Sequence, residues 1–246
     1  MEEQTALTPE EQKAKEIELE KKARREKRKR QRAEFRKGIL AKVNRKEICL
    51  ENPDCGELPS DYITAFDLEG AGFSEDDIIE IGAVKINLKT GETQDFQEMM
   101  SPRTRLNKYV TQITGITKEE LVGKRKLQEV LPEFLKFVGD SIVLGHSIGN
   151  NDMVQINLAI HRFKMKEKFY PHFIDTERMA HRLLDKADPP VKKFGLEPLL
   201  AQYGVTLTEN HRALADAYAS YQLLQVFMKN VGREGILPKI RKGITS

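Results

Sequence analysis

Two carboxylates stand two residues apart in Phe66-Asp67-Leu68-Glu69. If these residues end a strand, its period of two puts Asp67 and Glu69 on one side and Phe66 and Leu68 on the other. Like charges fixed on one face repel, and a hard cation such as Mg²⁺, which takes carboxylate oxygens, relieves that repulsion. A second Asp-x-Glu, Asp175-Thr176-Glu177, reads more simply as a helix start with Asp175 as its N-cap. In Gly145-His146-Ser147-Ile148-Gly149-Asn150-Asn151-Asp152 a short apolar strand gives way to a turn, which delivers Asp152 to a helix start. The helix dipole alone would favour an acid there. His146, inside that turn, reads as a packed histidine. His211-Arg212-Ala213-Leu214-Ala215-Asp216 is the one His-x₄-Asp of the sequence, and the alanines around Asp216 allow close approach to whatever the helix covers.

The elements that must position these groups follow from apolar periodicity. Tyr62–Phe66 and Ile78–Ile86 are β-branched runs of strand length, and Thr93–Met100 can return after the turn Asn87–Glu92. Ser141–Gly145 reads as a short buried strand, and Phe173–Ile174 ends another. Helical patterns occupy Lys118–Val122, Leu127–Val138, Asp152–Met165, Thr176–Leu184, Leu196–Tyr203 and Arg212–Val231. A three-strand meander followed by alternating helices and strands predicts an α/β fold, a mixed sheet flanked by helices. The organisation expected is a charged, net basic helical arm over 1–50, a linker over 51–60, a catalytic-type domain over 61–231 and a tail over 232–246.

The arm stands apart by charge. The 246 residues carry 41 Lys/Arg against 38 Asp/Glu, a formal +3. Residues 1–50 hold 16 basic and 10 acidic groups, which leaves 25 against 28 for the rest. Thr8-Pro9-Glu10-Glu11 is a capping box with proline at the first helical position, and Glu18→Lys22, Glu20→Arg24 and Glu26→Arg30 are acid-before-base pairs. From Lys21 to Lys37 there are 11 basic residues and two acidic ones. Such a run serves either a solvated spacer or an arm that meets polyanions. No stretch free of Lys, Arg, Asp and Glu approaches the roughly 20 residues of a membrane span. The N-terminus lacks the apolar segment of a signal peptide, and the two cysteines, Cys49 and Cys55, have too few neighbouring ligands for zinc. These features lead to the expectation of a cytoplasmic protein with reduced thiols.

Taken in order, Asp67-x-Glu69, Asp152 behind a Gly-His turn, and His211-x₄-Asp216 resemble the DnaQ-like 3′–5′ exonucleases of the DEDDh type, members of the RNase H-like superfamily that include the epsilon-type exonuclease domains. The resemblance spans about 61–231 and extends to Ile78–Val84, Ile113-Thr114-Gly115-Ile116-Thr117, Asp175-Thr176 and Phe194-Gly195-Leu196. It implies an RNase H-like mixed five-stranded sheet. It also implies metal-dependent hydrolysis of phosphodiester bonds from the 3′ end of DNA or RNA, with two Mg²⁺ (or Mn²⁺) per site. In that scheme Asp67, Glu69, Asp152 and Asp216 hold the metals, Asp67 touching both, and His211 is the general base. The sequence departs from the family pattern at Gly70, Thr114, Ser147 and Asn151, positions that bear on the grip of the terminal nucleotide. Two other roles stay open beside a free-standing enzyme: a polymerase-associated proofreading subunit, with the arm as a docking element for the polymerase or another protein, and a nucleic-acid-binding scaffold weakened in turnover. The absence of a polymerase domain or clamp-binding segment from the sequence favours the free-standing form.

Overall fold

The computed structural model of the chain describes residues 9–185, 191–205 and 212–240. A helix, α1 (Pro9–Val43), is followed by a 3₁₀ turn at Asn44–Lys46. Thr8, the expected cap, lies outside the described residues. One compact unit ends at Ala41 and a second begins at Lys42. Within the first, among the described residues of α1, Ile17, Leu19 and Phe35 are exposed, and Glu20 meets Arg24 at 3.7 Å across one turn. Exposed pairs of this kind contribute a few tenths of a kcal/mol, about 0.3–0.5 each.

The second unit is built on one sheet. Its strands are β1 (Tyr62–Gly70), β2 (Ile78–Asn87), β3 (Thr93–Met99), β4 (Ile142–Gly145) and β5 (Phe173–Asp175), in spatial order β3-β2-β1-β4-β5. β1, β2 and β3 pair antiparallel, whereas β4 and β5 run parallel to β1. The mixed five-stranded sheet is the one expected. Among the described residues seven helices accompany it: α2 (Lys108–Thr114), α3 (Lys118–Leu121), α4 (Leu127–Val138), α5 (Asp152–Arg162), α6 (Thr176–Leu184), α7 (Leu196–Gln202) and α8 (Ala213–Asn230). Among those residues no helix is long and apolar enough to cross a membrane.

Both faces of the central strands are covered, which is why β1 and β2 read as nearly continuous apolar runs. Ile63, Ala65, Val84 and Ile86 pack with Leu223, Leu224 and Phe227 of α8. On the opposite face Phe66 meets Phe134 of α4 at 5.2 Å and Phe169 at 6.0 Å. By the strand period, Asp67 and Glu69 continue the face of Ile63 and Ala65, beneath α8. Gly82 makes that approach possible. It pairs with Asp67 in register, and a Cβ there would stand 1.9 Å from the backbone nitrogen of Leu214 in α8.

Three segments differ from expectation. Helix α2 was not anticipated, because KYVTQIT is short and rich in β-branched residues that lower helix propensity. Its ends are nonetheless signalled: Asn107 accepts from the Tyr109 N–H, and Gly115 closes it at φ 73°. Residues 47–51, the junction expected between arm and linker, are built into the body. Glu47 bridges to Phe173, the Ile48 N–H donates to the Phe173 carbonyl at 2.7 Å, and Leu50 is buried. The expected tail is likewise packed from Gly232 to Ile240. Leu237 is buried, and the Pro238 carbonyl accepts from the Tyr221 hydroxyl at 2.8 Å and from Gln225 at 3.1 Å. Residues 241–246 lie outside the described ones.

Since the clash at Gly82 is with backbone, which cannot step aside, Gly82→Ala should destabilise the fold by about 3 kcal/mol or more. Gly235→Ala, where a Cβ meets nothing within 4 Å, should stay within about 0.5 kcal/mol of the parent. Urea denaturation of both variants measures the difference.

Candidate active site

The C-terminal end of β1 and the first turns of α5 and α8 converge. Oxygens of Asp67, Glu69 and Asp216 lie within 4.8 Å of one another. Asp67 and Glu69 share a face of β1, and Asp216, buried, comes from the first turns of α8. Asp152, also buried, lies outside that 4.8 Å set but adjoins it, because the Leu68 N–H, between the two β1 acids, hydrogen-bonds its carboxylate.

The electrostatics follow from the crowding. Burial, then repulsion from Asp152, Glu69, Asp216 and Glu80, holds the Asp67 carboxyl well above the usual range. Burial and the charges of Asp216, Glu80 and Asp152 push Glu69 up to about 8, and Arg212 partly offsets them. Burial raises Asp152 to about 7, against its backbone hydrogen bonds. An all-oxygen donor set, half-buried at Asp67 and Glu69, buried at Asp152 and Asp216, and mutually repelling, fits a hard divalent cation.

Local sequence patterns do not single out Glu80 or its partner Arg212. Glu80 is fully buried, faces Glu69 in the β1–β2 register, and receives Arg212 Nη2 at 2.9 Å, the Ala213 N–H at 3.2 Å and Gln97 at 3.2 Å. It therefore ties the start of α8 to β2. An acid inside the buried run Ile78-Ile79-Glu80-Ile81 was the available signal. Asp175 is the N-cap expected, accepting from the Glu177 and Arg178 N–H groups at 3.1 and 3.2 Å. It also accepts the Ser147 and Gly149 N–H groups at 3.1 Å, across the sheet end in the turn before Asp152.

That turn contains Ser147 at φ 61°, a left-handed conformation that costs a non-glycine residue roughly 1–2 kcal/mol. His146 is packed, as expected, with Nδ1 3.0 Å from the Thr176 hydroxyl and Nε2 2.8 Å from the Phe194 carbonyl, and burial lowers its pKa. Of the departures from the family pattern, Thr114 bonds within α2 to the Val110 carbonyl, and Asn151 donates to the Ser147 hydroxyl. Gly70 follows a register shift in the β1–β2 ladder. His211 lies outside the described residues.

Residues 64–224 match the RNase_T family model, described as exonuclease. The chain belongs to that exonuclease family. It is 34% identical over 178 residues to the PolC-type DNA polymerase III of Clostridium perfringens, a match covering 71% of this chain and 12% of that protein. The corresponding protein of Thermotoga maritima is 34% identical over 172 residues, 70% of this chain and 12% of its own length. The match thus spans about an eighth of the curated relatives. Among solved structures, E. coli exonuclease I in complex with a dT13 oligonucleotide has a TM-score of 0.60 at 17% identity, covering 71% of this chain and 42% of that one. A 3′-exonuclease in specific recognition of the 3′ end of a histone mRNA stem-loop has a TM-score of 0.57 at 20% identity, covering 72% and 85%. The exonuclease family and its fold are as the resemblance implied.

The raised carboxyls fix a pH dependence. Glu69 binds a proton below about 8 in the folded chain and below 4.5 when unperturbed. Between these values the folded state binds more protons, so the associated stability is full below 4.5 and is lost as pH rises through 8. With chelator present, the melting temperature should climb as pH falls from 8 toward 5. Saturating Mg²⁺ should flatten that rise, because a bound cation favours the ionised carboxylates. A chelated protein whose melting temperature falls over this window would contradict the assignment.

Proposed function

We propose that the chain is a metal-dependent 3′–5′ exonuclease acting on the 3′ end of DNA or RNA. The observation that carries the reading is the gathering of Asp67, Glu69 and Asp216 within 4.8 Å, beside Asp152, in a chain of the exonuclease family. Asp67, Glu69, Asp152 and Asp216 would hold two Mg²⁺ (or Mn²⁺), Asp67 contributing to both. When bound, such ions supply positive charge for the phosphate and lower the pKa of a bound water. The four carboxylates balance that charge and leave a nearly neutral site. His211, one residue before Arg212, is the proposed general base, an imidazole whose ordinary pKa suits accepting the proton of the attacking water at a ring nitrogen. The compartment proposed is the cytoplasm, which suits the free thiols of Cys49 and Cys55.

The similarity to PolC-type polymerases favours a second reading, proofreading within a polymerase assembly, on DNA ends that are mismatched. One experiment addresses both. Purified protein in Mg²⁺ is given 5′-labelled single-stranded DNA, RNA, and matched and mismatched primer–templates. A ladder shortening from the 3′ end is expected, abolished by excess chelator, and a strong preference for mismatched ends would select the proofreading role. Asp67→Ala, Glu69→Ala, Asp152→Ala, Asp216→Ala and His211→Ala should each lose more than the roughly 10–100-fold typical of a supporting residue. Undiminished cleavage in chelator would remove the metal mechanism, and full metal-dependent cleavage by Asp216→Ala would show that the wrong carboxylates were chosen.

The arm is proposed to hold the nucleic-acid backbone, on the charge of Lys21–Lys37. Because residues 44–51 belong to the body, the deletion that tests it should stop at Lys37. Titration of long single strands in Ca²⁺ at several salt concentrations should then show weaker binding. The salt slope should fall by about 0.7 for each phosphate that the shortened chain no longer neutralises. Unchanged affinity and slope would leave the arm as a spacer or as a docking element for a protein.

A further inference from the structure

The turn that delivers Asp152 is held from outside the family-matched region. Arg178, in the first turn of α6, reaches four groups. Its Nη2 donates to the Asn150 side chain at 2.8 Å and to Asn44 at 2.9 Å, its Nη1 to Glu47 at 2.7 Å, and its Nε stands 3.6 Å from Asp175. Asp175 in turn accepts the N–H groups of Ser147 and Gly149, and the Ser147 carbonyl accepts those of Asn150 and Asn151. A guanidinium thus grips the turn twice, directly at Asn150 and through the fully buried Asp175. One side of it is packed: the guanidinium lies 5.4 Å over the Phe173 ring, and a Cβ on Gly149 would stand 2.9 Å from Nη2.

The partners that fix Arg178 on its far side, Asn44 and Glu47, precede residue 64, where the family match starts. Glu47 is anchored by its backbone bridge to Phe173 and is shared with Arg182, at 2.9 Å, which also pairs with Glu51. A fork with five donors serves three acceptors and faces a fourth carboxylate at once only when each is fixed, a geometry that lysine cannot reproduce. The strained φ of Ser147 persists only while its surroundings enforce it.

We propose that Arg178 is a positioning residue for Asp152, and that residues 44–51, which precede the family-matched region, form a clamp that holds Arg178 in place. The inference rests on the exonuclease reading of the Asp152 site. Arg178 touches no reacting group; it acts through Asp175 and Asn150 on the turn.

The test uses the full chain carrying Arg178→Lys or Glu47→Gln, with Arg182→Lys as the control that shares Glu47 but does not touch the turn. Amide hydrogen exchange of metal-free protein is followed in peptides covering 146–152 and, for comparison, β2. Arg178→Lys should speed exchange in the turn by about 10-fold or more while leaving β2 unchanged, as expected of a local opening. In Mg²⁺ its kcat on a 5′-labelled single strand should fall by about 10–100-fold, with KM within about two-fold of the parent. Glu47→Gln should move both readouts in the same direction and by less. Arg182→Lys should alter the melting temperature and neither readout. The proposal is overturned if Arg178→Lys exchanges and turns over like the parent, or if Arg182→Lys reproduces its effects. Should the parent itself cleave nothing, the exonuclease reading fails, and the exchange data still decide whether the clamp holds the turn.

Discussion

Repulsion among buried carboxylates governs the architecture of this chain. Asp67 sits where every influence, burial as well as the charges of Asp152, Glu69, Asp216 and Glu80, opposes its ionisation. Left to themselves, β1, α5 and α8 would carry these groups apart. The fold holds them together by means that have nothing to do with the carboxylates' own preferences: the close approach of α8 backbone over Gly82, the Glu80–Arg212 pair, and the hydrogen bonds that shape the turn ahead of Asp152. Each lies one step removed from the site, and each holds together groups that repel one another when ionised.

The two helices are anchored differently. At α8 the means are close packing and an ion pair whose acid, Glu80, is buried, so Asp216 sits on a helix whose far end packs into the main core. At α5 the means are polar: a left-handed Ser147, Asp175 accepting four backbone N–H groups, and Arg178 reaching residues well before the sheet begins. Polar networks of this kind are strong when every member is satisfied and weak when one is removed. The Asp152 side is accordingly the part of the site most open to control by the surrounding chain.

How much of this was legible in the sequence depended on the range of the interaction. Asp67 and Glu69 on one face, Asp152 at a helix start and Asp216 among alanines all follow from local periodicity, and the strands and most helices emerged from the same patterns. Glu80 stood in plain view inside a buried run, but its partner, Arg212, is 132 residues away, and no local rule joins them. Asp175 was read correctly as a cap because capping is local, whereas its bonds to Ser147 and Gly149 depend on β4 and β5 being neighbours. Helix α2 was missed because its interior residues disfavour a helix, although Asn107 and Gly115 mark its ends. The segments around residues 47–51 and 232–240 look like connectors by composition, and only the tertiary structure reveals Leu50 and Leu237 as core.

The short bridge at Glu47–Ile48 has one more consequence. A sheet has two edges, and an unpaired edge invites other chains to add strands. On one side β3 defends itself by composition, since Thr93–Met99 carries Gln94, Asp95, Gln97 and Glu98. On the other side β5 offers Phe173 and Ile174 ahead of the buried Asp175, and the passing backbone of residues 47 and 48 pairs with Phe173 there. A fragment trimmed to the family boundaries would leave the Phe173 backbone at that edge without the pairing that residues 47 and 48 supply.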